Sequence, residues 1–264
     1  VDLKLSDRTV LVTGSTAGIG LAIASAFVRE GAAVIVNGRS RERVDAAVAK
    51  IRAEARGAKV SGVAADLGSK EGVRTLLESV ARVDVLINNV GIFEPRGFQE
   101  ITDEDWLRFF EVNVLSGVRL SRAYLPAMLE RNWGRIVFIS SESAILTPKE
   151  MIHYGVTKTA QLALASGLAR TTAGTNVTVN SVLPGPTASE GVGRFVADLA
   201  KAQGVPTAVV EKQFFETVRP SSLLKRFETT AEVANMVVYV SSAAASGTNG
   251  AALRVDGGVV HSIV

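Results

Sequence analysis

Apolar residues recur along this chain in two alternating rhythms. Short runs rich in valine and isoleucine are apolar at nearly every position. Between them lie longer stretches in which apolar residues return every three or four positions. The first rhythm suits strands buried on both faces and the second suits amphipathic helices. The strand-like runs are 8–14, 32–40, 59–66, 83–91, 135–140, 175–185 and 251–258. Helices are expected over 21–31, 41–56, from near Ser69, over 102–131, around Tyr154 as far as Ala173, and over 231–244. Strands alternating with helices in this way predict a Rossmann-like, doubly wound parallel α/β sheet of about seven strands, with helices on both faces, as a single domain over 1–264. Segment 187–222 breaks the rhythm, with Gly191, Gly193, Gly204 and Pro206 punctuating it. A mobile, partly helical lid is expected there.

The turns carry the first candidate chemistry. The first run ends in Gly14-Ser15-Thr16-Ala17-Gly18-Ile19-Gly20 and leads into a helix. Strand, glycine-rich turn and helix together suit a pyrophosphate, because the backbone can approach it and the helix N-terminus offers amide donors. The spacing is neither GxGxxG nor a Walker A loop. At the end of the second run, an NAD-binding chain usually carries an acidic residue for the ribose hydroxyls. Here Asn37, Gly38 and Arg39 stand in that place, so nothing repels a 2′-phosphate and Arg39 can pair with one. This favours NADP over NAD; the plain alternative is a solvated surface arginine. Asp66 closes the third run, to accept from an adenine amine or to cap the next helix. Asn88-Asn89 and Gly91 close the fourth and are expected to shape a turn at the binding edge. Asn113 sits inside the apolar pattern of 102–131, where an amide is costly unless it is bonded. It suggests a kink or a held water; the plain alternative is a local helix cap or a satisfied core amide.

The second candidate lies in 141–158. Ser141 follows the fifth strand, and Tyr154 and Lys158 stand four apart, on one face if the segment is helical. A phenol titrates near ~10, and an ammonium nearby favours its ionised form. With a serine hydroxyl to bond a substrate oxygen, the trio suits proton exchange with an alcohol or carbonyl. A bare Tyr-x-x-x-Lys is by itself also an ordinary surface pair.

Composition narrows the field. Hydrophobic residues make up 47% and charged residues 21% of 264, which gives ample core material. With no cysteine there is no thiol nucleophile and no cysteine metal site, and two histidines are too few for a histidine-based one, so no metal is expected. The net charge of +3 is scattered, without basic clusters, which argues against nucleic acid. No apolar run is long enough for a membrane span, and the charged N-terminus lacks a signal h-region, so the cytoplasm is the expected compartment.

Taken in order, Thr13-Gly14-x-x-x-Gly18-Ile19-Gly20, Asn88-Asn89-Val90-Gly91, Asn113, Ser141, Tyr154-x-x-x-Lys158 and Pro184-Gly185 with Ser189 resemble the short-chain dehydrogenase/reductase family along nearly the whole chain. Val90 departs from the family's usual alanine. Ala17 lacks the basic residue that many NADP-dependent members place in the glycine turn. The resemblance implies an NAD(P)-dependent oxidoreductase acting on a small carbonyl or alcohol, 3-oxoacyl thioesters among those open, and a homo-oligomer, commonly a tetramer. It implies Tyr154 as acid/base, Lys158 on the nicotinamide ribose and depressing the Tyr154 pKa, Ser141 orienting the substrate oxygen, and Asn113 holding a relay water. Gly14, Ser15, Ile19 and Gly20 would lie on the cofactor phosphates, Asp66 on adenine and Asn89 near ribose. Thr16, Gly18, Arg39, Ser40, Leu67, Gly91, Pro184, Gly185 and Thr187, with Tyr154 and Lys158, would complete the cofactor contacts. Phe93, Glu94, Ser141, Glu142, Tyr154 and Gly185 would border the substrate. A non-catalytic dinucleotide sensor on the same fold is the alternative.

Overall fold

A computed structural model describes residues 2–263, apart from the side chain of Phe195. The seven expected strands form: β1 (Thr9–Val12), β2 (Ala33–Gly38), β3 (Val60–Ala64), β4 (Val85–Asn88), β5 (Gly134–Ile139), β6 (Val177–Pro184) and β7 (Ala252–Val255). They make one sheet in the order β3-β2-β1-β4-β5-β6-β7, with every pair parallel. The chain returns to the centre after β3 and then runs the other way. The boundary between β1 and β4 is therefore the switch point where open α/β sheets bind ligands.

The strands lack polar alternation because both faces are covered. Val10, Val12, Val85, Ile87, Val137 and Ile139 point to one core, shared with α1 (Gly18–Arg29), α2 (Arg41–Glu54) and α9 (Thr230–Val240). Their neighbours Leu11, Leu86, Ile136 and Phe138 point to the other, shared with α3 (Lys70–Ser79), α5 (Ser116–Glu130) and α6 (Ile152–Thr171). Burying one such side chain is worth roughly 1.5–3 kcal/mol, so the two cores drive the sandwich.

Three helical regions matter for the site. The stretch expected as one helix over 102–131 is continuous but not uniform. It starts at α4 (Asp103–Phe110), where Thr102 and Asp105 form a capping box, and passes through a π-helical turn at Glu111–Leu115 before α5. Helix α6 begins after Met151 and carries Tyr154 and Lys158 on its first turns. Segment 187–222 is more regular than its punctuation suggests. It holds α7 (Glu190–Gln203), α8 (Thr207–Gln213) and a π turn at Phe214–Val218. Gly204 ends α7 at φ 67°, a left-handed C-cap. Of the apolar side chains there, Phe215 and Val210 are buried, with Phe214, Phe215 and Phe227 in mutual ring contact. No helix among the described residues is long and apolar enough to cross a membrane.

Candidate active site

The glycine turn after β1 is held from three sides. Asn37, buried at the end of β2, accepts from Gly14 N and donates to the Val63 and Ala65 carbonyls. The Asn89 amide donates to the carbonyls of Thr13 and Gly14, and the Thr13 hydroxyl accepts from Asn89 N and Val90 N. Gly14 sits at φ 60°, and a Cβ on Gly20 would meet Asn89 Nδ2 and Gly14 O at 2.5 Å, so both positions require glycine. Helix α1 starts at Gly18 with no side-chain cap, because Ala17 has none to give. Its first amides are thus available for phosphate oxygens. This cradle fits a dinucleotide.

Three of the expected contact residues have their side chains engaged within the protein. Ser15 is fully buried; its hydroxyl donates to Val12 O and accepts from Asn37 N, and its amide donates to Asn37 O. It braces the turn and does not present its side chain to a phosphate. Leu67 is a core side chain packed among the α3 and α5 residues. Glu94 is engaged at the surface by Arg96 and Arg108, and these two arginines hold its pKa below the usual carboxylate range. It is a network residue, and Arg96 is bound in the same network to Asp105.

Others are placed as the sequence suggests. Arg39 is exposed just past β2 and makes no ion pair among the described residues. Ser40 caps α2, accepting from Arg43 N. Thr16 packs its methyl against Gly38. Asp66 is exposed after β3 and accepts from Gly68 N, while Ser69, not Asp66, caps α3. A Cβ on Gly91 would come within 3.3 Å of Lys158 Nζ. Pro184 ends β6. Gly185 packs against the Asp256 backbone, and its amide donates to Val255 O and to Glu228 Oε2. Thr187 Oγ1 donates to Gly185 O.

The catalytic candidates come together where β4, β5 and β6 end. Ser141 follows β5. Tyr154, half-buried on α6, has the exposed Phe93 ring edge-on at 6.3 Å. Lys158 is buried, its Nζ 5.5 Å from the centre of the Tyr154 ring and bonded to Ile139 O at 2.9 Å. Burial alone brings the Lys158 ammonium down to about 8. The Tyr154 phenol moves the opposite way from the sequence expectation. Burial raises its pKa, and the neighbouring Ser141 hydroxyl and Arg219 only partly offset this, while Glu142 adds to it. Desolvation outweighs the Ser141 hydroxyl and the Arg219 cation here.

Asn113 lies in the π turn and is fully satisfied by protein. Its Oδ1 accepts from Ile92 N, and its Nδ2 donates to Ile92 O and Thr157 Oγ1. The π turn leaves its carbonyl to accept from Gln161 Nε2, and Gln161 Oε1 in turn lies 3.4 Å from Lys158 Nζ. Gln161, Thr157 and Arg219 are site residues the sequence reading missed. The first two stand one turn and one residue from Lys158 on α6, a spacing that could have found them. Arg219 has no such local signal. Its Nε donates to the buried Glu142 Oε1 at 3.2 Å, across 77 positions of sequence.

Residues 8–200 match the family model described as short chain dehydrogenase. The chain is 47% identical over its whole length to the whole of the uncharacterized oxidoreductase YvrD of Bacillus subtilis (strain 168). It is 46% identical to YvaG of the same organism, with 99% of each chain covered. Its structure superposes on that of the L-sorbose reductase of Gluconobacter frateurii, solved with NADPH and L-sorbose, at a TM-score of 0.94 and 31% identity, all of both chains being covered. With this sheet, this glycine turn and these relatives, the chain belongs to the short-chain dehydrogenase family, as an oxidoreductase acting on CH–OH groups.

Proposed function

We propose that this protein interconverts a carbonyl and a secondary alcohol with NADP(H) as its cofactor, as a cytoplasmic homotetramer. The observation that carries the reaction is the convergence of Ser141, Tyr154 and Lys158 at the carboxyl edge of the sheet, beside a glycine turn with open helix amides. When bound, the nicotinamide supplies or accepts the hydride. The chain's own groups handle the proton and the orientation. Tyr154 gives its phenolic proton to the substrate oxygen in reduction and takes it back in oxidation. Ser141 hydrogen-bonds the same oxygen as charge develops on it. Lys158 stands beside the ring to stabilise the phenolate so formed and to meet the ribose. Asn113 shapes the π turn whose carbonyl, through Gln161, reaches Lys158.

The amides at Gly18, Ile19 and Gly20, with Gly14 and Thr16 beside them, serve the phosphates. Arg39 and Ser40 serve the 2′-phosphate, Asp66 the adenine, Asn89 and Gly91 the ribose, and Pro184, Gly185 and Thr187 the nicotinamide end. Arg39, exposed and unpaired where NAD-binding chains carry a carboxylate, supports NADP over NAD. Segment 187–222 serves as the lid. Most of α7 is solvent-facing, and Arg219 ties the segment's end to Glu142 beside Ser141. A passive dinucleotide sensor has no use for the buried Lys158 and the Tyr154 beside it.

The deciding test is NADPH oxidation against a carbonyl panel of small ketones, ketoses and 3-oxoacyl thioesters. Tyr154→Phe should lower turnover at least ~10²-fold while NADPH still binds, as for loss of a general acid. Full activity in that variant would overturn the reading.

A further inference from the structure

The Ser141 hydroxyl has one proton, and here that proton is committed within the protein. Ser141 Oγ donates to Glu142 Oε2 at 2.5 Å and accepts from Ser143 N at 3.1 Å. Glu142 is held on both oxygens: Oε2 also accepts from Ser143 N, and Oε1 accepts from Arg219 Nε. Arg219 Nη1 lies 3.6 Å from Glu150 as well. The Glu142 residue is 5% exposed, so it lacks ready access to bulk water. Glu142 is bonded directly to Ser141, and Arg219 to Glu142, which puts the pair beside the reacting centre.

This arrangement bears on substrate choice, given the reaction proposed above. To serve a carbonyl oxygen, Ser141 must turn its O–H away from Glu142. A buried carboxylate oxygen then loses a donor, and such a loss typically weakens an equilibrium by a factor of about ten or more. A substrate with a hydroxyl on the carbon next to its carbonyl removes this penalty. Its own O–H donates to Glu142 Oε2 while Ser141 turns to the carbonyl. A plain ketone brings no replacement proton, and neither does a 3-oxoacyl thioester at that position. A carboxylate substrate meets Glu142 and finds Arg219 already shared between two acids.

We propose that Glu142 is a specificity-determining residue that selects 2-hydroxyketones, the class to which ketoses belong, by accepting the substrate hydroxyl in place of the Ser141 proton. The side chain of Arg219, from the segment after α8, fixes the carboxylate in position for this. Selection works against substrates that leave the buried Oε2 one donor short, with only Ser143 N still bonded to it.

The test uses three matched ketones with the purified enzyme and NADPH: 2-butanone, 1-methoxy-2-butanone and 1-hydroxy-2-butanone. The methoxy compound keeps the inductive activation of the carbonyl and lacks the donor. Wild type should show kcat/KM for the hydroxyketone at least about tenfold above the methoxyketone. Glu142→Ala should bring that ratio close to one, and Arg219→Met should reduce it partway. Turnover of hydroxy- and methoxyketone at equal kcat/KM in wild type overturns the assignment, whether or not the variants fold. An undiminished ratio in folded Glu142→Ala also overturns it. Absence of turnover across the wider carbonyl panel overturns the proposed reaction, and this inference with it.

Discussion

At the scale of single residues, the chain uses buried polar groups in two distinct ways. Some, such as Asn37 and Ser15, make every bond within the protein and define the shape of a turn. Others sit where burial disfavours their charged form and are thereby tuned. Lys158 belongs to the second kind, and so does Glu228. Glu228 is 2% exposed behind the Gly185 amide, one of its carboxylate oxygens has no partner, and burial with Asp256, Glu232 and Glu142 nearby pushes its pKa up to about 8.

A group whose pKa rises on folding holds its proton more tightly in the folded state. Its contribution is therefore complete below the ordinary carboxylate value of 4.5 and is lost as pH climbs towards about 8. Lys158 has the opposite sign. Its depressed pKa makes the unfolded chain the better proton binder between about 8 and 10.5, so stability recovers across that window. Melting temperatures should fall by several degrees from pH 5 to pH 8. Glu228→Gln, which is neutral throughout, should flatten that limb. An unchanged slope in this variant would show that Glu228 is not the group responsible. The cofactor preference is also a single-residue matter. Wild type should bind NADPH more tightly than NADH, and Arg39→Ala should lose that preference by at least about tenfold, since a charge-assisted contact to phosphate goes with it. Fluorescence titration of both cofactors into both proteins decides it.

At the scale of elements, the π turn at Glu111–Leu115 is the piece with the clearest work to do. One extra residue in the turn redirects the Asn113 carbonyl to Gln161 and turns its side chain to the Ile92 backbone, joining α5 to the loop after β4. Asn113→Ala leaves the Ile92 amide and carbonyl without these partners. These groups are partly buried, so the loss should be at most about 1–3 kcal/mol of stability for each, and chemical denaturation measures this. Helices α7 and α8 are the other case. They are regular, yet among their described side chains only Ala200 and Val210 are buried, with Phe215 in the π turn beyond. Few apolar contacts mean a low opening free energy. Amide exchange over 187–222 should be fast in the free protein and slow with NADP and substrate. Equal and strong protection in both states would mean that the segment is not a lid.

At the scale of the whole molecule, the proposed assembly rests on the outer face of α6. Gly155 is packed inward against Thr147, whereas Ala163 and Gly167 are exposed, and a Cβ on Gly167 would meet nothing within 4 Å. Small residues on an open helix face allow a second helix to approach. Gly167→Arg adds no clash within the chain and should split the proposed tetramer without lowering the stability of the subunit. Sedimentation velocity reads this directly, and an unchanged sedimentation coefficient would exclude α6 from the interface.

The sheet, its helices and the Tyr154–Lys158 pair were legible from the sequence because they rest on local regularities. Continuous apolar runs mark strands covered on both faces, glycines at 14, 18 and 20 mark a tight turn, and a four-residue spacing marks one face of a helix. The tertiary structure decided what depends on partners distant in sequence. Ser15 and Leu67 are expected on the cofactor, and only the fold shows that their side chains are committed to Asn37 and to the α3–α5 core. Glu94 is expected at the substrate, and only the fold shows that Arg96 and Arg108 pair with it. The raised Tyr154 pKa and the Arg219–Glu142–Ser141 chain share one cause. Desolvation and hydrogen-bond competition are set by what the fold brings alongside each group, and the sequence records only which groups are present.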